Sequence, residues 1–266
     1  MCGFPIVQLD RYLKILVQRE KRFVAMCEEF PQQSEGSKTF QRRVTRIVTP
    51  GTLIDESFLN PLSNNFLLAL APSGYTASNS QSVGLAWIDV STGECFSEHC
   101  AFENLQDEIA RISPSEIVLP LTFRDSQTHS IIASLASPQC LVSFTSAASE
   151  LPVVHSIHPQ EVEANAILVT YLKENLREHM PRLTFPLQED TGKRMQIDVH
   201  TINGLEIRES GYEGGTRGSL LSTIKRAVTC GGSRLLSRWL CTFFLSFRNM
   251  HRLITSCSRF AQHRYQ

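Results

Sequence analysis

The architecture of this chain is set by SVGLAWIDVSTGECFSEHC, residues 82–100. Two apolar-rich runs flank a Ser-Thr-Gly turn, and this pattern predicts two strands joined as an antiparallel hairpin. A third strand is predicted just upstream, in NFLLALAP at residues 65–72. The sheet is therefore expected to begin with antiparallel strands.

Helices and strands alternate after this hairpin. An amphipathic helix is predicted in FENLQDEIARIS, residues 102–113, and strands in SEIVLP (115–120) and CLVSFT (140–145). A further helix is predicted between those two strands, near DSQTHSIIASLA at 125–136. Antiparallel strands followed by β-α-β units indicate a mixed α/β domain of about 100 residues.

The segment upstream of residue 65 predicts one helix and two strands. Leu9, Leu13 and Leu16 lie on one helical face, and strands are predicted in FVAMC (23–27) and RRVTRIV (42–48). A Pro50-Gly51 turn ends the second strand, and the next dozen or so residues are interpreted as a linker.

The segment downstream of Pro159 has helical periodicity. A helix is predicted from the apolar stripe Ala164, Ile167, Leu168, Tyr171, Leu172 and Leu176. Two more helices are predicted in GGTRGSLLSTIKRAVTCGGSRLLSRWL, residues 214–240, with Gly231-Gly232 as the turn at the end of the first. The apolar face of that first helix is predicted to comprise Leu220, Leu221, Ile224, Ala227 and Val228.

Composition indicates a globular chain: 42% of residues are hydrophobic and 20% are charged. No apolar run approaches the roughly 18 residues that a membrane span requires. The start, MCGFPIVQLDRYLK, has the pattern of neither a signal peptide nor a transit peptide. The eight cysteines lack paired spacing, which favours free thiols in a reduced, intracellular compartment.

Charge is distributed unevenly along the chain. Residues 1–48 carry nine Lys and Arg against five Asp and Glu, residues 49–213 carry eight against twenty-one, and residues 214–266 carry nine against none. A polyanion such as nucleic acid would therefore meet the ends of the chain rather than its middle. Solvated faces of unrelated elements would give the same pattern.

The glycine pairs in residues 214–240 do not form a nucleotide-binding loop. A P-loop requires G-x-x-x-x-G-K-[ST], because its lysine reaches the terminal phosphates and its hydroxyl binds magnesium. Neither pair is followed by Lys-Ser or Lys-Thr, and no G-x-G-x-x-G follows a strand. No cofactor is therefore expected on this chain.

Two histidine groupings are weak candidates for zinc. Cys95, His99 and Cys100 lack the spacing of a zinc knuckle and do not share one strand face. His155 and His158 lie beside prolines in a predicted loop, where surface positions are expected. We predict no metal site from either grouping.

Asp89 gives the sequence its one resemblance to a nuclease. An aspartate in the middle of LAWIDVSTGECF is typical of the first strand of an RNase H-like nuclease, whose carboxylates converge on two magnesium ions. Glu116 and Glu108 are conceivable partners. The competing interpretation is that Asp89 caps the turn beginning at Val90.

Four arginines are candidates for contacts with a nucleic-acid backbone: Arg22, Arg42, Arg43 and Arg46. Simple strand alternation would place residues 42, 44 and 46 on one side of their strand.

The order of several segments resembles the MutS family of DNA mismatch repair proteins. The family has a Met-Cys-Gly-x-Pro turn, a Tyr-Leu helix, a Val-Ala-x-Cys-Glu strand, a Val-Thr-Pro-Gly-Thr exit strand, an x-Asp-x-Ser-Thr-Gly hairpin and a Gly-x-Arg-x-Leu-x-x-Trp-Leu segment. The matching runs here occur in family order across residues 1–240: MCGFP, YLKILV, FVAMCE, RRVTRIVTPGTLIDE, GLAWIDVSTGECF and GSLLSTIKRAVTCGGSRLLSRWL. The run from MCGFP to TLIDESFLNP looks most like fungal mitochondrial members.

The resemblance implies a mixed α/β fold in several parts. Residues 1–48 would be the C-terminal part of the mismatch-binding domain, 49–64 a linker, and 65–155 a connector domain, RNase H-like in fold and without nuclease activity. Residues 156–241 would begin the all-α core and lever domain. The tail, 242–266, matches no family segment and is interpreted as a possible gene-model artefact.

The resemblance also implies the activity of the parent protein. Family members bind mismatched double-stranded DNA as dimers and couple recognition to ATP hydrolysis with magnesium, without a membrane. The mismatch-reading Phe-x-Glu element and the ATPase motifs are not encoded here, so we expect a fragment that is not itself an enzyme. A magnesium-dependent nuclease using Asp89 and Glu116, and a non-catalytic partner-binding scaffold, remain alternatives. Mitochondrial localisation is expected from the resemblance alone.

Overall fold

The computed structural model describes residues 4–31, 40–55, 59–60, 62–72, 82–124, 140–146, 158–180, 183, 186–188, 195–211 and 215–242. The chain divides into two compact units. The first, called the sheet unit, comprises residues 1–106 and 113–189. The second, called the helical unit, comprises residues 107–112 and 190–266.

The sheet unit begins with a helix and a two-stranded hairpin. A 3₁₀ turn at Ile6–Gln8 leads into α1, Leu9–Leu13, which continues as π-helical turns over Lys14–Arg19. The antiparallel hairpin consists of β1, Val24–Pro31, and β2, Phe40–Val48. A small core joins these elements through the buried side chains of Leu13, Val17, Val48 and Leu53. Both predicted strands and the predicted helix are confirmed.

A six-stranded mixed sheet forms the body of the sheet unit. Its strand order is β7-β6-β3-β4-β5-β8, with β3, β4 and β5 antiparallel, β6 and β7 parallel to β3, and β8 parallel to β5. The strands are β3 (Phe66–Pro72), β4 (Ser82–Asp89), β5 (Glu94–Ala101), β6 (Glu116–Pro120), β7 (Leu141–Thr145) and β8 (Leu187–Gln188). The predicted mixed α/β sheet, with antiparallel strands first, is confirmed.

The turn between β4 and β5 follows from its sequence. Gly93 has φ of 75°, a conformation that glycine adopts without a steric penalty, and its amide donates to the Asp89 carbonyl over 2.8 Å. The Ser-Thr-Gly sequence therefore determines where the chain turns and keeps the turn short.

One face of the sheet is covered by α3, which spans Pro159–Leu176. Its apolar stripe, including Ile167 and Leu172, forms one core cluster with Leu67 and Ala86 of the sheet. The sequence predicted this helix but assigned it to a helical core domain beginning at 156, whereas the structure places it in the sheet unit. An apolar stripe shows that one helix face is buried, but it does not identify the surface on which that face packs. The other domain boundaries stay predictions.

Gly84 of β4 allows α3 to approach the sheet closely. A Cβ at this position would lie 2.1 Å from the backbone oxygen of Gln160, in the first turn of α3. A side chain there would push the helix off the strand, so glycine is required by the packing itself.

The opposite face of the sheet is also buried. Leu68 and Leu85 are fully inaccessible to solvent. The rings of Trp87 and Phe96 stack with centroids 5.6 Å apart, and Phe66 meets Phe96 edge to face. A sheet buried on both faces explains why β3 and β4 are nearly continuous apolar runs without alternating polar residues.

The helical unit is built from short helices. The last six residues of α2 (Leu105–Ile112) belong to it, followed by α4, Val199–Gly204, α5, Leu220–Ile224, and α6, Cys230–Leu240. Its core cluster contains Ile202, Ile207, Leu240 and Cys241. Half-buried Arg208 holds α2 in place by donating to the carbonyl oxygens of Ala110 and Arg111.

The glycine pair of residues 231 and 232 lies at the start of a helix rather than at the end of one. Thr229 accepts a hydrogen bond from the Gly232 amide over 3.1 Å and so caps the N-terminus of α6, whereas α5 ends at Ile224. The prediction that the first helix extends to Val228 and ends at the glycines was wrong. The Thr229 side chain caps the amide of Gly232, three residues later, and a helix begins there. This local hydrogen bond outweighs the tendency of glycine to end a helix.

Three predicted features lie outside the described residues: the helix near 125–136, His155, and the tail beyond Thr242. Within the described part of the chain, no helix has the length and apolar character needed to cross a membrane.

Candidate nucleic-acid interface

The arginine-bearing strand β2 contains a bulge that changes which residues share a face. Met26 lies opposite Arg46, whereas Cys27 lies opposite Val44, so Thr45 is one extra residue in β2. Its hydroxyl donates to the Met26 carbonyl over 3.3 Å.

The bulge moves Arg43 to the face of Arg46 and leaves Arg42 on the other. Across the hairpin Arg43 pairs with Glu28 and Arg42 with Glu29, neighbours in β1 that point to opposite faces. The prediction that 42, 44 and 46 share one side was therefore wrong, because a bulge breaks the two-residue alternation.

Each arginine of the hairpin has a distinct environment. Arg42 forms an ion pair with Glu29 at 2.8 Å, with 76% and 52% of the two side chains exposed. The guanidinium of Arg43 lies over the ring of Phe30, 4.5 Å from its centroid. Arg46 donates to Asp55 over 2.6 Å, and only 17% of its side chain is exposed. Arg42 and Arg43 are therefore accessible to a ligand, whereas Arg46 chiefly ties β2 to the segment that follows it.

Arg22 lies away from the other exposed arginines. It is exposed and immediately precedes β1, whose first residue, Val24, pairs with Val48 at the end of β2. Arg43 pairs with Glu28 near the middle of the hairpin, so about 13 Å of strand, at roughly 3.3 Å per residue, separates Arg43 from the end of the hairpin that Arg22 precedes. The structure brings Arg42 and Arg43 into neighbouring positions and leaves Arg22 apart.

Sequence reasoning missed the counter-charges of this hairpin. Glu28 and Glu29 stand directly opposite the two exposed arginines and offset part of their charge. The signal was present as a Glu-Glu pair in one strand and an Arg-Arg pair in the next. Using it required the strand register, which the bulge had altered.

The predicted nuclease pair does not converge. Asp89 pairs with Phe66 and Glu116 with Leu67, and consecutive residues of β3 point to opposite faces of the sheet. The two carboxylates therefore project from opposite faces and do not share a metal ion. Across the described ranges, no cluster of three or more His, Cys, Asp or Glu side chains is suited to hold one.

Asp89 stabilises the hairpin turn. Its Oδ1 accepts from the Ser91 amide over 3.0 Å and from the Ser91 hydroxyl over 2.6 Å, and its Oδ2 accepts from the Asn65 amide over 3.2 Å. The turn-capping interpretation is confirmed.

Glu116 is a buried acceptor that connects the end of β2 to the sheet. Its Oε2 accepts from the Thr49 hydroxyl over 2.6 Å and from the Gly51 amide over 2.8 Å. Its Oε1 accepts from the hydroxyls of Ser143 and Tyr171, both over 2.5 Å. Four donors satisfy a carboxylate that solvent does not reach. Glu116 is thus an anchor for the Pro50-Gly51 turn.

Burial and the contact with Glu116 also change the pKa of Tyr171. Burial, followed by the nearby charge of Glu116, raises the pKa of Tyr171 above its usual value. The phenol therefore stays protonated and continues to donate to Glu116.

The candidate zinc residues are used otherwise. Cys95 and His99 share one face of β5 and Cys100 lies on the other, as predicted. Burial raises the pKa of the Cys95 thiol to about 11, so the thiol stays protonated at neutral pH. His99 contacts buried Glu161 over 2.7 Å, and its ring stacks on that of His158. The sequence did not predict this grouping of Glu161, His99 and His158, because His99 lies on β5 and the other two lie at the start of α3.

Two domain models of one class of protein match the chain. A model described as MutS domain I matches residues 1–57, and a model described as MutS domain II matches residues 65–184. The first range contains the basic hairpin, and the second contains β3 to β7 with α3. These are domains of DNA mismatch repair proteins, in their family order and over well more than half of the chain.

Curated relatives support the same family as the two domain matches. The DNA mismatch repair protein MutS of Rhodopseudomonas palustris strain HaA2 is 37% identical over 257 residues, which cover 90% of this chain and 28% of the relative. The protein of that name from Rhizobium meliloti strain 1021 is 34% identical over 260 residues, with the same coverage of 90% and 28%. The chain belongs to the MutS family. It spans less than a third of the length of the curated relatives that it matches.

Proposed function

We propose that this chain supplies domains I and II of a MutS-type DNA mismatch repair protein, and that its hairpin contacts the DNA backbone through Arg42 and Arg43. The observation that carries the proposal is the pair of domain matches, one of which contains the exposed basic hairpin.

The geometry of Arg42 and Arg43 suits phosphate contacts. Arg42 is paired with an exposed glutamate, and exposed ion pairs are worth little free energy, so a phosphate can displace Glu29. Arg43 is held over Phe30, which orders the guanidinium while leaving it exposed. Contacts of this kind fix orientation on a duplex and carry no base specificity.

The wider activity is a proposal about the whole protein. We infer that it recognises mismatched DNA as a dimer and couples recognition to ATP hydrolysis with magnesium. The 266 residues contain no P-loop sequence, and we propose that this portion binds no nucleotide. We further propose that the protein is of the fungal mitochondrial type. Immunodetection of the whole protein in mitochondrial and nuclear fractions tests that compartment.

A salt titration of DNA binding tests the role of the hairpin. The 266-residue chain is mixed with a fluorescent duplex carrying one mismatch or with its fully paired counterpart, and anisotropy is recorded at increasing salt. We expect similar binding to both duplexes. The Arg42→Ala and Arg43→Ala variants should each reduce the slope of log K against log salt by about 1, because each removes one phosphate contact.

Two further variants sharpen this test. Arg217→Ala removes an exposed arginine of the helical unit and should leave the slope unchanged. Glu29→Gln frees Arg42 from its counter-charge and should strengthen binding. A slope that responds to Arg217 as strongly as to Arg42 and Arg43 would contradict a specific role for the hairpin.

A further inference from the structure

Arg177 has an unusual backbone conformation at the end of α3. Its φ is 48° and its ψ is −109°, while its amide still donates to the Lys173 carbonyl. A side chain with a Cβ is strained at positive φ, by on the order of 1–3 kcal/mol. Glycine adopts positive φ without this penalty, so a glycine at position 177 would relieve the strain.

The side chain of Arg177 reaches the middle of the basic hairpin. Its Nη1 donates to the carbonyl oxygen of Val44 over 2.8 Å, across 133 positions of sequence. Val44 directly precedes the bulged residue Thr45 and directly follows Arg43. The contact therefore holds the strand where its ladder is interrupted and where the exposed arginines begin.

The far side of this contact is rigid. The buried face of α3 packs into the main core of the sheet unit. Close to its end, Glu174 accepts from the Thr145 hydroxyl over 2.8 Å and from the Ser146 hydroxyl over 2.6 Å, which ties the helix to the end of β7. Arg177 thus projects from a fixed point.

Besides the small core that joins the hairpin to α1, two sets of polar contacts hold it against the body of the sheet unit. Glu116 holds its base through Thr49 and Gly51, and Arg177 holds its middle through Val44. One attachment would allow the hairpin to pivot, whereas two restrict its direction relative to the sheet.

We propose that Arg177 is a positioning residue that fixes the direction of the basic hairpin and thereby sets how Arg42 and Arg43 meet a DNA backbone. The consequence for DNA rests on the proposed function. The restraint that Arg177 places on the hairpin rests on the Val44 contact and needs no premise about DNA.

Hydrogen–deuterium exchange in the full chain tests the restraint. Arg177→Gly removes the side chain and also relieves the backbone strain, so α3 should end normally and the melting temperature should not fall. Exchange of peptides covering Phe40–Val48 should become about fivefold faster, because a strand carbonyl loses its charged donor. Arg177→Lys keeps a cationic donor and should restore slower exchange. Glu178→Gly, at the next exposed position, is the matched control. Wild-type exchange in Arg177→Gly would overturn the restraint.

Duplex binding tests the consequence. Arg177→Gly should weaken binding to the fluorescent duplex several-fold at unchanged melting temperature, and Arg177→Lys should recover most of it. In an Arg42→Ala, Arg43→Ala background the glycine variant should have no further effect, because Arg177 would act only through those two residues. Additive losses would overturn the positioning role. A wild-type chain that binds no duplex would overturn the proposed function and the DNA consequence together, while the exchange result would still decide the restraint.

Discussion

The sheet unit and the helical unit differ in the length of their helices and in the burial of their polar groups. In the sheet unit both faces of the sheet are buried, and the polar groups inside it, such as Glu116, have their full set of partners. In the helical unit α4 and α5 have six and five residues, and apolar side chains remain outside, with Val228 74% and Leu205 60% exposed. Short helices bury one stripe only against neighbours, so the helical unit leaves apolar surface uncovered.

Buried polar groups give the same contrast. Among the described residues, the one buried side-chain oxygen without a hydrogen-bond partner is the hydroxyl of Thr242, in the helical unit. Apolar side chains are exposed in the sheet unit as well, with Val7 91% and Ile6 83% exposed, so the two units differ in helix length and in the partners of their buried polar groups rather than in exposed apolar surface. The chain has two tryptophans, Trp87 in the sheet unit and Trp239 in the helical unit, so fluorescence reports on each separately.

The largest expected effect is the loss of the Glu116 anchor. Glu116→Ala removes the shared acceptor of four buried donors, and the free energy of unfolding of the sheet unit should fall by on the order of 4 kcal/mol. Urea denaturation followed through Trp87, in a Trp239→Phe background, measures it. Glu163→Ala, an exposed change on α3, should stay within about 0.5 kcal/mol. Equal midpoints for the two variants would show that the anchor contributes nothing.

The next effect compares a glycine in each unit. Gly84→Ala places a methyl group 2.1 Å from the Gln160 oxygen, and overpacking against backbone should destabilise the sheet unit by about 2 kcal/mol. Gly204→Ala, at the end of α4, meets nothing within 4 Å and should be neutral or mildly stabilising. Both are measured by urea denaturation, and a costly Gly204→Ala would mean that the helical unit is packed more tightly than its exposed side chains indicate.

A smaller effect is expected at the start of α6. Thr229→Ala removes the oxygen that accepts from the Gly232 amide, and the helical unit should lose about 1 kcal/mol. Trp239 fluorescence during thermal unfolding reports it, with Trp87→Phe as background. Thr229→Ser keeps an acceptor and should behave as the wild type. If both substitutions lower the transition equally, the cap hydrogen bond is not the cause.

The smallest effect on stability is expected at Val228. Because this side chain is 74% exposed, Val228→Ser should change the free energy of unfolding by less than about 0.5 kcal/mol. It should nevertheless reduce the aggregated fraction in analytical ultracentrifugation, because it removes exposed apolar area. Val228→Ile keeps that area and is the control. Unchanged sedimentation in Val228→Ser would show that this exposed side chain does not promote aggregation.

Local sequence signals predicted the elements whose causes are local. The β4–β5 hairpin was predictable because Asp89, Ser91 and Gly93 close the turn among themselves. The helix α3 was predictable as a helix from its stripe, but its partner surface depends on Gly84, far away in sequence, which admits it to the sheet.

The candidate interface was predictable in residue type and less so in geometry. The sequence identified the arginines of β2, but no local pattern predicted that Thr45 would be an extra residue in the strand. That one residue decides which arginines share a face. The contact of Arg177 with Val44 was also beyond sequence reasoning, because it joins a helix end to a strand 133 positions away.

The Glu116 anchor has a practical consequence for dividing the protein into pieces. The two domain matches end and begin at residues 57 and 65, which suggests a cut between them. A piece starting at Asn65 would keep Glu116 and lose the two donors upstream of the cut, Thr49 and Gly51. Its interior would then hold the Glu116 side chain with only the hydroxyls of Ser143 and Tyr171 as hydrogen-bond donors. A cut before Thr49 would keep all four donors with Glu116. The boundary set by these hydrogen bonds therefore differs from the boundary between the two domain matches.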